Sequence, residues 1–275
     1  LATQMSHVDW EGFRHHDTIF ALFLFISGMT FPFSFAKKTA KGMSRRALCL
    51  DVLRRCCVLI FLGFVYQGIF QFHFATQRFP SVLARIGLAW AIAAILYMFT
   101  GRKTQWGIAA GILVGYFLLL KFVVAPDAPA GADSFSTEGN IAYYIDRVLM
   151  PNHIYKKGLG DPEGLLSTIP AVVTAMLGMF TGRYVKESGD SGERKTVKML
   201  AAAAVMAVLT IVWSFWCPVI KSLWTRTFVL AAGAWSVGMF ALFYYLIDVK
   251  GWRKGVVFFQ VVGMNSITIY LGQRI

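Results

Sequence analysis

The stretch "SHVDWEGFRHHDTIFALFLFISGM", residues 6–29, gathers three histidines and three acids ahead of a long uncharged run. His7 and Asp17 stand ten residues apart, with Trp10, Gly12 and Phe13 between them. A histidine titrating near neutrality can take a proton from an attacking group, or accept an acyl group on its ring nitrogen. A neighbouring carboxylate would hold the ring in one tautomer and stabilise its charged form. The same residue types also anchor helix ends at membrane interfaces. Spacing alone does not fix the distance between ring and carboxylate. His15 and His16 are weaker candidates, because adjacent residues point apart on a helix.

Four further stretches carry chemistry-bearing residues. "RFPSVLARIG", 78–87, sets Arg78 and Arg85 seven apart, on one face if helical. Ionisable groups close to lipid need partners, so these two either pair with acids or draw in an anion. "GDPEGLLSTIP", 160–170, places Asp161 and Glu163 before an apolar run. Asp161 as a helix cap with Pro162 in the first turn is one reading. A mouth that binds a cationic or hydroxyl-rich ligand is the other. "PVIKSLWTRTF", 218–228, offers Lys221 and Trp224, and Glu11 and Trp10 add to the polar set. "GMNSITIYLG", 263–272, puts Asn265 inside an apolar run, where a buried amide usually joins helices. Arg45, Arg46, Arg54 and Arg55 form a basic cluster with the geometry to hold phosphates, although such clusters also simply set membrane orientation. No spacing suited to metal ligation occurs, and none is expected.

These residues must be positioned by elements built for lipid. Of the 275 residues, 57% are hydrophobic and 15% charged, with mean hydropathy +0.58. A soluble domain carries nearer a quarter charged residues. Uncharged stretches approach the ~20 residues a helix needs to cross a bilayer. They are Thr18–Ala36, Cys56–Phe72, Ile86–Gly101, Thr104–Leu120, Gly164–Gly182, Met199–Ile220, Thr227–Ile247 and Gly255–Gln273. The expected fold is therefore all-α, a polytopic transmembrane bundle of about eight spans forming a single domain over residues 1–275. Unbroken apolar runs of this length exclude the alternation of a barrel. The first run has no short basic leader or small-residue cleavage site, so it reads as a span rather than a signal peptide. Both ends, Leu1 and Ile275, read as cut from a longer chain.

The net charge of +13 would suggest nucleic acid in a soluble protein, but the positive-inside rule accounts for it here. Grouped by alternate loops, 17 of the 27 Lys and Arg fall on one side and 9 on the other, with Lys121 near a helix end. The larger set runs Lys37, Lys38, Lys41, Arg45, Arg46, Arg54, Arg55, Arg102, Lys103, Arg183, Lys186, Arg194, Lys195, Lys198, Lys250, Arg253 and Lys254. The smaller is Arg14, Arg78, Arg85, Arg147, Lys156, Lys157, Lys221, Arg226 and Arg274. The larger side is expected to face the cytoplasm, which places His7 and the acidic loop 125–163 outside. Within that loop "NIAYYIDRVLM" has the apolar spacing of a helix lying along the membrane surface. Cys49, Cys56 and Cys57 would sit at the reducing inner face and Cys217 near the outer one, so no disulfide framework is expected.

The motifs together resemble the membrane-embedded acetyltransferases related to heparan-α-glucosaminide N-acetyltransferase, including bacterial relatives. The resemblance rests on H-x-x-W-x-G-F…D-x-x-F-x-x-F-L-F-I-x-G at 7–28, R-x-P-x-V-L-x-R-I-G at 78–87 and DPEGLLSTIPA at 161–171. K-x-L-W-T at 221–225, DVKG at 248–251 and GMNSITIYLG at 263–272 follow in the same order. It implies acetyl transfer from cytosolic acetyl-CoA to an amino sugar across the membrane, with His7 as the active-site histidine and Asp17 as the acid that follows it. The chain departs from the pattern at Glu11, Ala21, Ile220 and Arg226, where relatives carry Asn, Pro, Asn and a small polar residue. Glu11, Ile220 and Arg226 fall at the expected outer site, where the acceptor would be read. The family's first span and its last ones would lie beyond Leu1 and Ile275.

The expected reading is an acetyl-CoA-dependent acetyltransferase acting on a glucosamine-type sugar or glycan. Arg45, Arg46, Arg54, Arg55, Arg78 and Arg85 would serve the donor. Trp10, Glu11, Asp161, Glu163, Lys221, Trp224 and Asn265 would serve the acceptor, with Trp10 and Trp224 as stacking platforms. A transporter or flippase for a glycan or lipid-linked sugar needs the same polar path without a catalytic base, and a sugar O-acyltransferase acting on hydroxyls is a closer rival that product analysis separates. A bilayer is the expected partner, a homodimer is possible on this reading, and nucleic acid is not expected. The absence of any N-x-S/T sequon favours a bacterial inner membrane.

Overall fold

A computed structural model describes residue 4, residues 6–155 and residues 158–272. Leu1, Lys156, Lys157, Gln273, Arg274 and Ile275 lie outside the described residues. Among the described residues there is no β-strand, only isolated bridges at Glu11–Ile220 and Val124–Asn140. The helices are α1 His15–Ala40, α2 Arg45–Tyr66, α3 Val82–Phe99, α4 Arg102–Phe122, α5 Ile141–Leu149, α6 Thr168–Glu187, α7 Gly192–Ser214, α8 Arg226–Tyr244, α9 Val256–Met264 and α10 Ser266–Gly272. Two 3-10 turns, Ile69–Gln71 and Phe74–Thr76, precede α3, and a π turn, Tyr245–Val249, extends α8.

The all-α membrane bundle is as expected, and the span boundaries differ for physical reasons. Among the described residues five helices are long and apolar enough to cross a membrane: α1, α3, α4, α7, and α8 with its π turn. α2 is long, but it begins at Arg45 under a Ser44 cap and carries Arg46, Asp51, Arg54 and Arg55 in its first half. α6 carries Arg183, Lys186 and Glu187 in its last turns. The expected span at Gly255–Gln273 is two short helices broken at Asn265. Large apolar side chains on the outside of the bundle, such as Val205, Val208 and Ile211 on α7, require lipid rather than water around them. The chain is an integral membrane protein.

α1 is the axis of the fold. It packs on α6, and also on α3 and α8. The α1–α6 seam is closed by glycine. A Cβ on Gly28 would collide with the Ala175 carbonyl, one on Gly178 with the Phe25 carbonyl, and one on Gly182 with the Met29 carbonyl. Gly178 and Gly182 form the G-x-x-x-G spacing that lets helices in lipid approach to backbone contact. Because the chain runs up and down, the connections 67–81, 123–167 and 215–225 all fall at the end of the bundle that holds residues 6–14. The Lys/Arg-rich connections fall at the opposite end.

Candidate active site

Asp17 occupies the third residue of α1, where the helix dipole favours a carboxylate. Its Oδ2 accepts from the backbone N–H of Arg14 at 3.2 Å and of Val8 at 3.5 Å, which caps the helix and ties down the preceding loop. Its Oδ1 lies 2.7 Å from His7 Nδ1. One carboxylate thus starts the helix and orients the imidazole. The Arg14 guanidinium donates to the Ser6 hydroxyl at 2.8 Å and to the His7 carbonyl at 2.9 Å, holding the loop from its other side. The Asp17 side chain is 2% exposed while that of His7 is 56% exposed, so Nδ1 faces a buried anion and the rest of the ring faces outward.

A third group completes this cluster. Lys221 Nζ lies 3.0 Å from His7 Nδ1 and 3.3 Å from Asp17 Oδ1. The turn that carries it is fastened to the histidine loop by the Glu11–Ile220 bridge and by the Gly12 N–H donating to the Val219 carbonyl at 2.8 Å. Thr225 and Thr227 both donate to the Pro218 carbonyl, which gives the turn its shape. Trp224 sits in the left-handed region at φ 52, held there by full burial and by its indole donating to Thr174. Burial lowers the Lys221 ammonium from its ordinary value, although Asp17 and Glu163 pull the other way.

The acidic turn 160–167 is a second cluster at the same end. Asp161 is fully buried and accepts from Arg78 Nε at 2.7 Å. Arg78 also binds Glu163. Burial alone would lower the Arg78 guanidinium, but Asp161 and Glu163 outweigh it and hold the proton more firmly than usual. Arg85, 1% exposed, donates through one nitrogen to the Gly164 carbonyl and to Ser167, while its Nε and other amino nitrogen find no partner among the described residues. Its guanidinium lies 5.1 Å from the Trp224 ring and 5.9 Å from that of Phe20. Lys221 senses both Glu163 and Arg85, so the two clusters form one electrostatic unit.

Several expectations change in detail. Arg78 lies in the loop before α3 and Arg85 within α3, so they do not share a helical face; they converge on the acidic turn instead. Asp161 does not cap α6, which starts at Thr168 behind Ser167. Trp224 has no exposed surface to offer a sugar. The Trp10 indole donates to the Phe135 carbonyl at 2.9 Å and its ring meets Tyr143 edge-on at 5.5 Å, so it braces the loop. Asn265 is exposed between α9 and α10 and donates to Val261 of its own helix, so among the described residues it joins no second helix. Arg226 lies over the Phe117 and Trp213 rings. Arg45, Arg46 and Arg54 are exposed at the basic end. Arg55 leans over Trp90 at 4.5 Å and lines a cleft between α1, α2 and α3 with Thr30, Ser34, Lys38 and Asp51.

One site residue escapes a reading of the sequence, and a weak candidate moves closer to the site. Asp146 on α5 is buried and accepts from the Leu165 N–H at 3.0 Å and the Asp161 N–H at 3.4 Å, so it props the acidic turn from behind. Burial, opposed by those two N–H donors, pushes it up to about 6. Gly164 is required there because a Cβ would strike the Asp146 carboxylate. His16, a weak candidate for its adjacency to His15, places its ring edge-on to His7 with centroids 4.2 Å apart. His15 turns away to Trp235. A buried acid inside an amphipathic helix is the available signal for Asp146.

This geometry meets an independent likeness. The chain is similar along nearly its whole length to heparan-alpha-glucosaminide N-acetyltransferase. It is 25% identical over 322 aligned positions to the protein of Mus musculus, covering 98% of this chain and 49% of that one. The Homo sapiens protein matches at the same identity, with 98% of this chain and 48% of the relative covered. The chain spans about half the length of these curated relatives. No protein-family model matches it. The likeness supports the relationship that the motifs point to.

Proposed function

We propose that the chain forms the catalytic part of a membrane-embedded acetyltransferase that moves an acetyl group from cytosolic acetyl-CoA to the amine of a glucosamine-type sugar. The single observation that carries this reading is the His7–Asp17 pair at 2.7 Å, fixed at the mouth of the helix on which the bundle is built. Asp17 keeps the proton on Nδ1, so Nε2 is the nitrogen left to act as general base or as nucleophile. By the charge bias of the loops this mouth faces the non-cytoplasmic side, and the lack of an N-x-S/T sequon favours a bacterial inner membrane.

The donor would enter from the basic end. The cleft lined by Lys38 and Arg55 lies on α1 well below Asp17, and the 17 residues between Asp17 and Ser34 span roughly 26 Å at 1.5 Å per residue. Arg45, Arg46 and Arg54 would attract the phosphates to this mouth, and the thioester would reach up beside α1. Arg85 keeps two donor nitrogens without partners among the described residues, which suits a carbonyl oxygen gathering charge during transfer. Glu11, Glu163 and Lys221 border the acceptor's side. The test is incubation of the full-length protein in membranes with labelled acetyl-CoA and a panel of amino sugars and their N-blocked forms. Label in the amide of an amino sugar supports the reading; label only in hydroxyl esters points to O-acylation, and sugar movement without label points to a transporter.

A further inference from the structure

An amino sugar near neutral pH carries its amine largely as an ammonium. Such an acceptor loses two protons before it becomes a neutral amide, one to free the lone pair and one after attack. The groups at the mouth are already committed in part. His7 gives Nδ1 to Asp17, Asp17 spends Oδ2 on two backbone N–H groups, and Asp161 and Glu163 are held by Arg78. His7 Nε2 can take one proton. Lys221 Nζ, 3.0 Å from the Nδ1 edge of the same ring, stands where a second acceptor is needed.

The geometry points to Lys221 as a second catalytic base, which in its neutral form takes the first proton from the incoming sugar ammonium. This inference rests on the acetyltransferase reading above. The ring supports it: with Nδ1–H given to Asp17, an ammonium at 3.0 Å would press a proton against that edge, whereas a free amine would not. The surroundings agree. The charged and titratable groups facing Lys221 are Asp17, His7, His16, Glu163 and Arg85; burial, helped by Arg85, lowers its affinity for a proton against the opposite pull of Asp17 and Glu163. The balanced step is as follows. The sugar R–NH3+ gives a proton to Lys221, and the freed lone pair forms the C–N bond to the thioester carbonyl. The adduct gives its second proton to His7 Nε2. The C–S bond breaks with its electron pair going to sulfur, which takes the proton from His7. The sum is R–NH3+ and acetyl-thioester giving R–NH–acetyl, thiol and one proton, released from Lys221 to solvent.

The experiment compares glucosamine with hydroxylamine, an acceptor that is neutral at pH 7. Lys221→Arg keeps the charge and cannot give up its proton. It is expected to lose about 100-fold or more in kcat/KM for glucosamine at pH 7 and to keep hydroxylamine acetylation within a few-fold, the usual worth of one acid–base group being about 10²–10⁴. Lys221→Met should show the same selectivity and serves if the arginine variant does not fold. In the unmodified protein, kcat/KM should rise with pH on the acid side for glucosamine and stay flatter for hydroxylamine. Equal loss on both acceptors, no loss on either, or identical acid limbs overturns the proposal while leaving the acetyltransferase reading intact. Failure of the unmodified protein to acetylate either acceptor overturns both.

Discussion

Changing Asp17 to Asn is the sharpest perturbation of the pair at the mouth. Oδ2 faces two backbone donors, Arg14 N–H at 3.2 Å and Val8 N–H at 3.5 Å. The amide oxygen of the substituted side chain must therefore take that place, which turns its NH2 toward His7 Nδ1. An NH2 there donates to a bare Nδ1 and drives the ring proton to Nε2, the nitrogen that has to stay free. The loss has two parts, the wrong tautomer and the missing negative charge beside a charged ring. In a carboxylate–imidazole pair this exchange costs about 10⁴ in turnover, or ~5 kcal/mol in the barrier at 1.36 kcal/mol per factor of ten. His7 is more than half exposed here, so water screens part of the charge and the expected loss is about 10²–10³-fold in kcat. Folding should change little, because the cap survives through the amide oxygen. The assay is transfer from labelled acetyl-CoA in membranes, with size-exclusion profiles in detergent to check the fold. Turnover within threefold of the parent in a well-folded Asp17→Asn protein would refute the orienting role.

Gly178→Leu should prevent assembly, since any Cβ meets the Phe25 carbonyl and α1 cannot shift without losing its contact with α6; the readout is loss of the monodisperse peak in detergent. Arg78→Ala leaves Asp161 and Glu163 partly or wholly buried without a cation, an expected loss of about 3–5 kcal/mol seen as a large fall in melting temperature, with Lys partly restoring it. Asp146 titrates near 6 in the fold and near 4 in the unfolded chain, so the fold binds the extra proton between those values. The stability it contributes is full below about pH 4 and lost as pH rises through about 6. Asp146→Asn should remove that part of the slope of melting temperature against pH, and an unchanged slope would refute the assignment.

Much of this is legible in the residues themselves. Composition and uncharged runs point to an all-α membrane bundle, because lipid leaves the backbone few alternatives. The alternation of Lys and Arg puts Arg78, Asp161, Lys221 and His7 at one end, and in the structure those connections do share an end. What is not legible is contact between distant segments. The ten-residue spacing of His7 and Asp17 gives no distance; the 2.7 Å contact depends on a loop pinned to Val219 and Ile220, more than 200 positions away. Trp224 and Trp10 read as sugar platforms because sequence cannot separate an interfacial ring from a buried one. The last apolar run reads as a span because run length does not report the break at Asn265. Asp146 is hidden because its partners are backbone N–H groups in another segment.

The central claim is that the His7 imidazole handles the acetyl group at the non-cytoplasmic mouth. The most direct measurement uses sealed membrane vesicles of known sidedness, with labelled acetyl-CoA on the cytoplasmic face, an impermeant amino sugar on the other, and either the parent protein or His7→Ala. The account predicts N-acetylated sugar on the far side with the parent and at least a roughly 100-fold lower rate with His7→Ala. Undiminished transfer in His7→Ala, or product formed only when donor and sugar share the cytoplasmic face, would contradict it.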